Sequence, residues 1–337
     1  MKRGLWWRRK LTGKFYCYKF FDRHIFSSNE LKLLCRVNHD MEPDNRDVMV
    51  EWSSDPVMPE GPMCAGDVSW GIIVLRADGG VWAVLPRTGF VVWVPKNGTR
   101  LTVHPDLSQL PNHDLAAHPS RDVANSIVTG LLSRLPAMWG VLPLHAAMLK
   151  APEGYILLAG VSGVGKSTLS QFLVRRHGWR LLDDDSCMAS VINGELKVTP
   201  MGGRARLRAD AANRLQLSGP LLSGYADGKV MVPIERSALL IPEKTPVVAL
   251  FHLSRNKEHA VKHISNSYIT RLDTVNAVTQ ASTTALALDR ESLQWRTNLF
   301  YVAAQFGKTE NYFVAFGQTI KPEEVSDDIE KIYAKRH

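Results

Sequence analysis

The chain has 337 residues, 45% of them hydrophobic and 22% charged, with a formal net charge of +8. Composition and length are those of an ordinary globular protein, with room for two domains. No stretch approaches the ~20 consecutive apolar residues of a membrane span, and the basic, tryptophan-rich start has no apolar core behind it, so it does not read as a secretory signal and the expected location is the cytoplasm.

Cys17, Cys35, Cys64 and Cys187 form no CxxC pair and are too sparse for a disulfide framework, so they read as reduced thiols. Residues 1–40 hold ten Lys/Arg against Asp22, Glu30 and Asp40, a net of +7 that is nearly the whole excess. Such an arm can meet an acidic partner, a membrane surface or nucleic acid, or be a solvated leader. Residues 41–67 are polar and proline-rich and read as a linker. Short β-branched and aromatic runs follow at Ser69–Leu75, Val81–Leu85, Phe90–Val94 and Arg100–His104. Turns at Asp78-Gly79-Gly80 and Pro95-Lys96-Asn97-Gly98 separate them, the pattern of an antiparallel meander. His104, His113 and His118 fit no zinc spacing and read as surface residues. Ser120–Met138 carries apolar residues at helical spacing. The expected division is a leader and linker over 1–67, a small β-meander plus helix over 68–138, and a catalytic domain over 139–337.

Leu142–Leu149 reads as a strand interrupted by His145-Ala146-Ala147, and Tyr155–Ala159 as a buried strand. Gly160-Val161-Ser162-Gly163-Val164-Gly165-Lys166-Ser167 then matches the phosphate-binding pattern GxxxxGK[ST] in full, with a helix over Ser167–His177 behind it. The chemistry requires these residue types. Glycines let successive backbone N–H groups turn inward around phosphate oxygens. The helix N-terminus, with Ser167 and Thr168 in its first turn, favours an anion. Lys166 supplies charge to the β/γ-phosphates, and the Ser167 hydroxyl is a ligand for Mg²⁺. The phosphate cradle is thus expected from Gly160, Ser162, Gly163, Val164, Gly165, Lys166, Ser167 and Thr168.

Asp183-Asp184-Asp185 follows the short apolar strand Arg180–Leu182. One carboxylate there can hold Mg²⁺ and another can take the proton of an attacking hydroxyl, or the run can be an acidic turn. His145 comes near the phosphates if its strand pairs with the next; a lone histidine can equally be structural. A hairpin turn is expected at Asn193-Gly194. Arg204, Arg206 and Arg208 alternate, so in a strand they share one face as an anion-binding stripe or a solvated edge, with Lys229 a weaker candidate of the same kind. Strands are expected at Val230–Ile234, Val247–Leu253 and Tyr312–Phe316, and helices over 276–304 and Pro322–Lys335.

The stretch 143–185 resembles the catalytic core of HPr kinase/phosphorylase and its relatives. The residues carrying the likeness are His145, Gly160–Ser167, and Asp184-Asp185 after Gly178-Trp179-Arg180-Leu181-Leu182. The preceding meander is similar to the N-terminal part of HPr kinase-like proteins from peptide-modification cassettes, including lasso-peptide and SynChlorMet-type clusters. The resemblance implies an α/β fold: a P-loop core like that of HPr kinase and phosphoenolpyruvate carboxykinase, with a small N-terminal β-rich domain. It implies phosphoryl transfer from ATP, with Mg²⁺, to a serine-type hydroxyl on a peptide, small protein or small molecule. Asp184 is then the base and Asp185 a metal partner; His145 and Lys166 complete the expected catalytic set, Ser167 is the loop's own metal ligand, and the alternating Arg204, Arg206 and Arg208 are the candidate substrate contacts. Where the bifunctional enzymes carry Glu-x-Arg-Gly-x-Gly, this chain has Met201-Gly202-Gly203-Arg204-Ala205-Arg206, so the resemblance does not extend to phosphorylase activity or to HPr as acceptor. A homo-oligomer is compatible with this reading and nucleic acid is not an expected partner. A P-loop ATPase and an ATP-binding peptide-recognition scaffold are the alternatives.

Overall fold

A computed structural model describes residues 16–20, 23–27, 44, 47–53, 55, 57, 60–61, 73–85, 90–105, 141–184, 186–200, 204–217, 229–234, 246–256, 265–268, 274, 276, 278, 293–317 and 319–335. The chain divides into two compact units, residues 1–139 and 140–337, in a mixed α/β fold with several sheets.

The described part of the first unit is one sheet. Its strands are β1 (Tyr16–Phe20), β2 (Arg23–Ser27), β3 (Val48–Trp52), β4 (Ile73–Ala77), β5 (Gly80–Leu85), β6 (Phe90–Pro95) and β7 (Arg100–Pro105), in the order β1-β2-β3-β7-β6-β5-β4. β4 to β7 form the antiparallel meander that the turn residues predict. Alternation sorts the faces. Val48, Val50, Val74, Ala83, Val92, Leu101 and Val103 share one face and are buried. Trp82, Trp93 and His104 lie on the other, with Trp82 and Trp93 rings 4.7 Å apart. His104 is half-buried rather than a free surface residue, its Nδ1 3.1 Å from the Asp55 carbonyl.

The leader-and-linker reading of 1–67 is corrected here, because β1, β2 and β3 lie within it. β2 and β3 are parallel, as are β3 and β7, so neither pair shows as a hairpin in sequence. The buried Asp47 carboxylate fixes the entry to β3, accepting the His24 and Asp44 backbone N–H groups at 2.8 Å each. The helix expected over 120–138 lies outside the described residues, as do Cys35, Cys64, His113 and His118.

The second unit begins with β8 (Leu142–Leu144), β9 (Ala146–Lys150) and β10 (Tyr155–Gly160), then α1 (Lys166–His177) and β11 (Arg180–Asp183). A hairpin of β12 (Cys187–Ile192) and β13 (Glu195–Pro200) turns at Asn193-Gly194, both with positive φ (53° and 80°), as a primed turn requires. β14 (Arg204–Arg208), α2 (Ala209–Arg214) and β15 (Lys229–Pro233) come next, followed by β16 (Val247–Asn256), β17 (Ser265–Tyr268), α3 (Leu293–Phe306), β18 (Glu310–Gly317) and α4 (Pro322–Ala334). Of the helix expected over 276–304, α3 covers 293–304 and runs on to Phe306; residues 276 and 278 are also helical.

The central sheet has the order β11-β9-β10-β16-β18-β17. β10, β16 and β18 are parallel, whereas β9 runs antiparallel to both β10 and β11. Tyr155–Gly160 is buried at every position, which explains its unbroken apolar run. α1 packs on β9, β10 and β11, and α4 packs on α1. α4 begins with Pro322 followed by Glu323 and Glu324, and Lys331 lies in its last turn, an order that suits the helix dipole. No helix among the described residues is long and apolar enough to cross a membrane.

Candidate functional site

Strand directions in the central sheet bring the candidate residues to one edge. β10 ends at Gly160 and feeds the glycine-rich loop. β9 is antiparallel to β10 and starts there, with Ala146 level with Ala159, so His145 stands just before the loop. β11 runs back along β9 and ends at Asp183 at the same edge. The carboxyl-terminal edge of parallel strands is where α/β sheets carry their ligands.

The loop conformation is one that only glycine adopts easily. Gly160, Gly163 and Gly165 have φ of 144°, 81° and 113°. A Cβ on Gly160 would stand 2.5 Å from the Leu253 carbonyl oxygen, so glycine there permits close approach of β10 and β16. A Cβ on Gly163 or Gly165 would meet none of the described residues within 4 Å, so there is open space at both positions. Val164 is buried beneath it and anchors it, and Ser162 and Gly163 are exposed. α1 opens at Gly165 with no side-chain cap and no acidic residue in its first turn. Ser167 and Thr168 are half-buried in that turn. Uncapped N–H groups and an acid-free helix start favour an anion, so these residues fit a phosphate group.

Lys166 is 5% exposed. A buried ammonium needs acceptors, and three are present: Gly160 O at 2.8 Å, Val161 O at 3.3 Å and His145 Nε2 at 3.0 Å. An ammonium only donates, so Nε2 accepts and the His145 imidazole is neutral with its proton on Nδ1. The structure thus brings Lys166 and His145 together.

Asp183 and Asp184 are both buried. Asp183 Oδ1 accepts the Ser186 backbone N–H at 3.1 Å, turning the chain from β11 into β12. Burial first, and then the Asp183 charge, push the Cys187 thiol well above its ordinary range. Asp185 lies outside the described residues. Among the described residues no three His, Cys, Asp or Glu cluster as a metal site. Mg²⁺ on a phosphate does not require such a cluster, since it keeps water and phosphate oxygens as ligands.

Arg204, Arg206 and Arg208 fall at alternate positions of β14, whose intervening Ala205 and Leu207 are buried. Arg208 is exposed and pairs in register with Lys229, and β14 packs on α1.

No sequence motif points to His252. It lies on β16 in register with Ala159 of β10 and Phe313 of β18, its ring stacked on Phe313 at 5.7 Å and 18°. Burial, and then the Lys166 charge, hold its pKa below the ordinary value. The available signal is a single histidine breaking the apolar run Val247–Leu253; the adjacency of β16 to the loop strand is tertiary information.

No family model matches the chain, and no curated protein does. Among solved structures it is similar to the HPr(Ser) kinase/phosphatase from Coxiella burnetii, with 15% identity over 58% of this chain and 97% of that one. The TM-score is 0.30, a likeness too slight to decide either fold or chemistry.

Proposed function

We propose that this protein is an ATP-dependent kinase with an HPr kinase-like P-loop core, transferring the γ-phosphoryl group to a hydroxyl, serine-type, on a peptide, small protein or small molecule. The observation that carries the reading is Lys166. Its buried ammonium is held at 2.8 Å by the Gly160 carbonyl and at 3.0 Å by His145, at the sheet edge where Asp183-Asp184 also ends.

The chain's residues divide the work. Loop N–H groups from Gly160 to Thr168 bind phosphate oxygens, and the positive end of α1 adds to this. Lys166 exchanges carbonyl acceptors for β/γ-phosphate oxygens and orients them. Asp184 takes the proton of the acceptor hydroxyl as its oxygen bonds to the γ-phosphorus and the bond from that phosphorus to the β,γ-bridging oxygen breaks, releasing ADP. His145 holds Lys166 in place and keeps its own proton on Nδ1. Ser167 and Asp185 would hold Mg²⁺, which neutralises phosphate charge when bound. Arg204, Arg206 and Arg208 supply cations for an anionic acceptor. Catalysis is then positioning plus charge neutralisation.

The test is transfer of label from γ-labelled ATP to acceptors in a cell extract. Asp184→Asn is expected to bind ATP as the native protein does while transfer falls by about 10²–10⁴-fold. Full transfer by that variant would remove Asp184 as the base. ATP release of phosphate without any labelled acceptor would favour the ATPase, and binding without turnover the scaffold.

A further inference from the structure

We infer that His252 is a second imidazole of the nucleotide site, giving a ring N–H to the β/γ end of the phosphate chain opposite His145. The inference rests on the triphosphate reading of the loop and adds a residue that the loop motif does not contain.

Three independent features single out this side chain. The first is position. Cα register sets His252 beside Ala159 and Leu253 beside Gly160, so the ring stands on the strand neighbouring the start of the loop. The second is unused hydrogen-bonding capacity. Among the described residues, His252 Nδ1 is buried without a hydrogen-bond partner. Its described contacts are the stack on Phe313 and the electrostatic action of Lys166. Buried ring nitrogens in a folded chain are ordinarily partnered, and an unpartnered one points to a group supplied from outside the chain. The third is charge. Burial and Lys166 disfavour the imidazolium, so the ring is a neutral donor that does not compete with the ammonium for its acceptors.

A purely structural role does not require an imidazole. On the other face of the same strands Phe251 stacks on Tyr312 at 5.0 Å and 22°, and a phenyl ring serves there. Phenylalanine at position 252 would keep the stack on Phe313 and relieve the unpartnered nitrogen. Histidine instead keeps an N–H on the strand next to the one that feeds the loop. Lys166 is the residue that reaches β/γ-phosphate oxygens, and its Nζ is 2.8 Å from the carbonyl of Gly160, which pairs with Leu253, the neighbour of His252.

The experiment is calorimetric titration of the full chain with Mg²⁺·ATP, for the native protein, His252→Phe, His252→Gln and Lys166→Ala. His252→Phe is expected to fold with undiminished thermal stability and to bind ATP about tenfold or more weakly, the loss of one hydrogen bond to a charged group. His252→Gln, which keeps a side-chain N–H, is expected to recover most of that loss. Native-like ATP binding by His252→Phe, with binding lost in Lys166→Ala, would overturn the role of His252 alone. Native-like binding by Lys166→Ala would overturn the triphosphate reading and the His252 inference with it. Should His252→Phe fail to fold, the ring ¹⁵N resonances of His252 in the native protein decide: they must move on adding ATP, and unmoved resonances overturn the inference.

Discussion

Gly160 and Gly163 share a positive φ and differ in what a side chain would meet. Gly160→Ala places a Cβ against the Leu253 carbonyl, so it is expected to lower stability by about 2 kcal/mol or more through overpacking and strain. Gly163→Ala meets no atom and is expected to cost only about 1 kcal/mol of backbone strain. Alanine also disfavours the left-handed backbone that turns the loop N–H groups inward, so on the proposed reading ATP affinity should fall about tenfold or more. Chemical denaturation with nucleotide titration separates the two. His252 adds a pH dependence. Its folded pKa lies below the ordinary 6.5, so the unfolded chain takes up the proton first as the pH falls. Stability should therefore decline from about pH 6.5 down to the folded value, and His252→Phe should remove that part of the slope.

At the scale of elements, α4 is the brace behind the loop helix. Val325, Ile329, Ile332 and Tyr333 are buried, α4 packs on α1, and the Trp179 and Tyr333 rings meet edge-on at 5.3 Å. Tyr333 Oη accepts the Glu153 backbone N–H at 2.8 Å, tying α4 to the turn before β10. Ile329→Ala should cost about 2–5 kcal/mol by leaving a cavity. Asp327 joins the two helices through Arg176 at 2.9 Å and His177 at 3.1 Å. Burial alone would raise its pKa, but these hydrogen bonds and charges outweigh that and hold it below the ordinary 3.8. Its contribution is therefore complete above about pH 4 and is lost as the pH falls through the lower folded value. Asp327→Asn should flatten that acid limb in pH-dependent denaturation, with a small loss at neutral pH because the ion pair is partly exposed.

Across the whole molecule, the elements that build the site belong to residues 140–337: β9, β10, α1, β11 and β16 pair or pack with one another. Most of the net charge lies in residues 1–40 instead. A fragment of residues 140–337 is thus expected to bind Mg²⁺·ATP with the affinity of the full chain, measured by calorimetry. A folded fragment that fails to bind ATP where the full chain binds it would overturn that expectation.

Local chemistry was readable from sequence alone. The run of buried residues Tyr155–Gly160, the Asn193-Gly194 turn, the meander turns and the proline-acid start of α4 depend on near neighbours in the chain, and each is where the residue types require it. The phosphate-binding pattern belongs to the same class, since its glycines, lysine and serine lie within one strand–loop–helix segment. Tertiary structure decided what pairing across long separations controls. β1 to β3 joined the first sheet through parallel neighbours that leave no hairpin signal. β11, separated from β9 by β10, the loop and α1, paired with β9 and so brought Asp183 to the edge where His145 stands 3.0 Å from Lys166. β16, parallel to β10, set His252 beside the start of the loop, and no local spacing encodes that adjacency. The physical reason is range: propensity and turn chemistry act over a few residues, whereas strand order is set by burying apolar faces gathered from the whole chain.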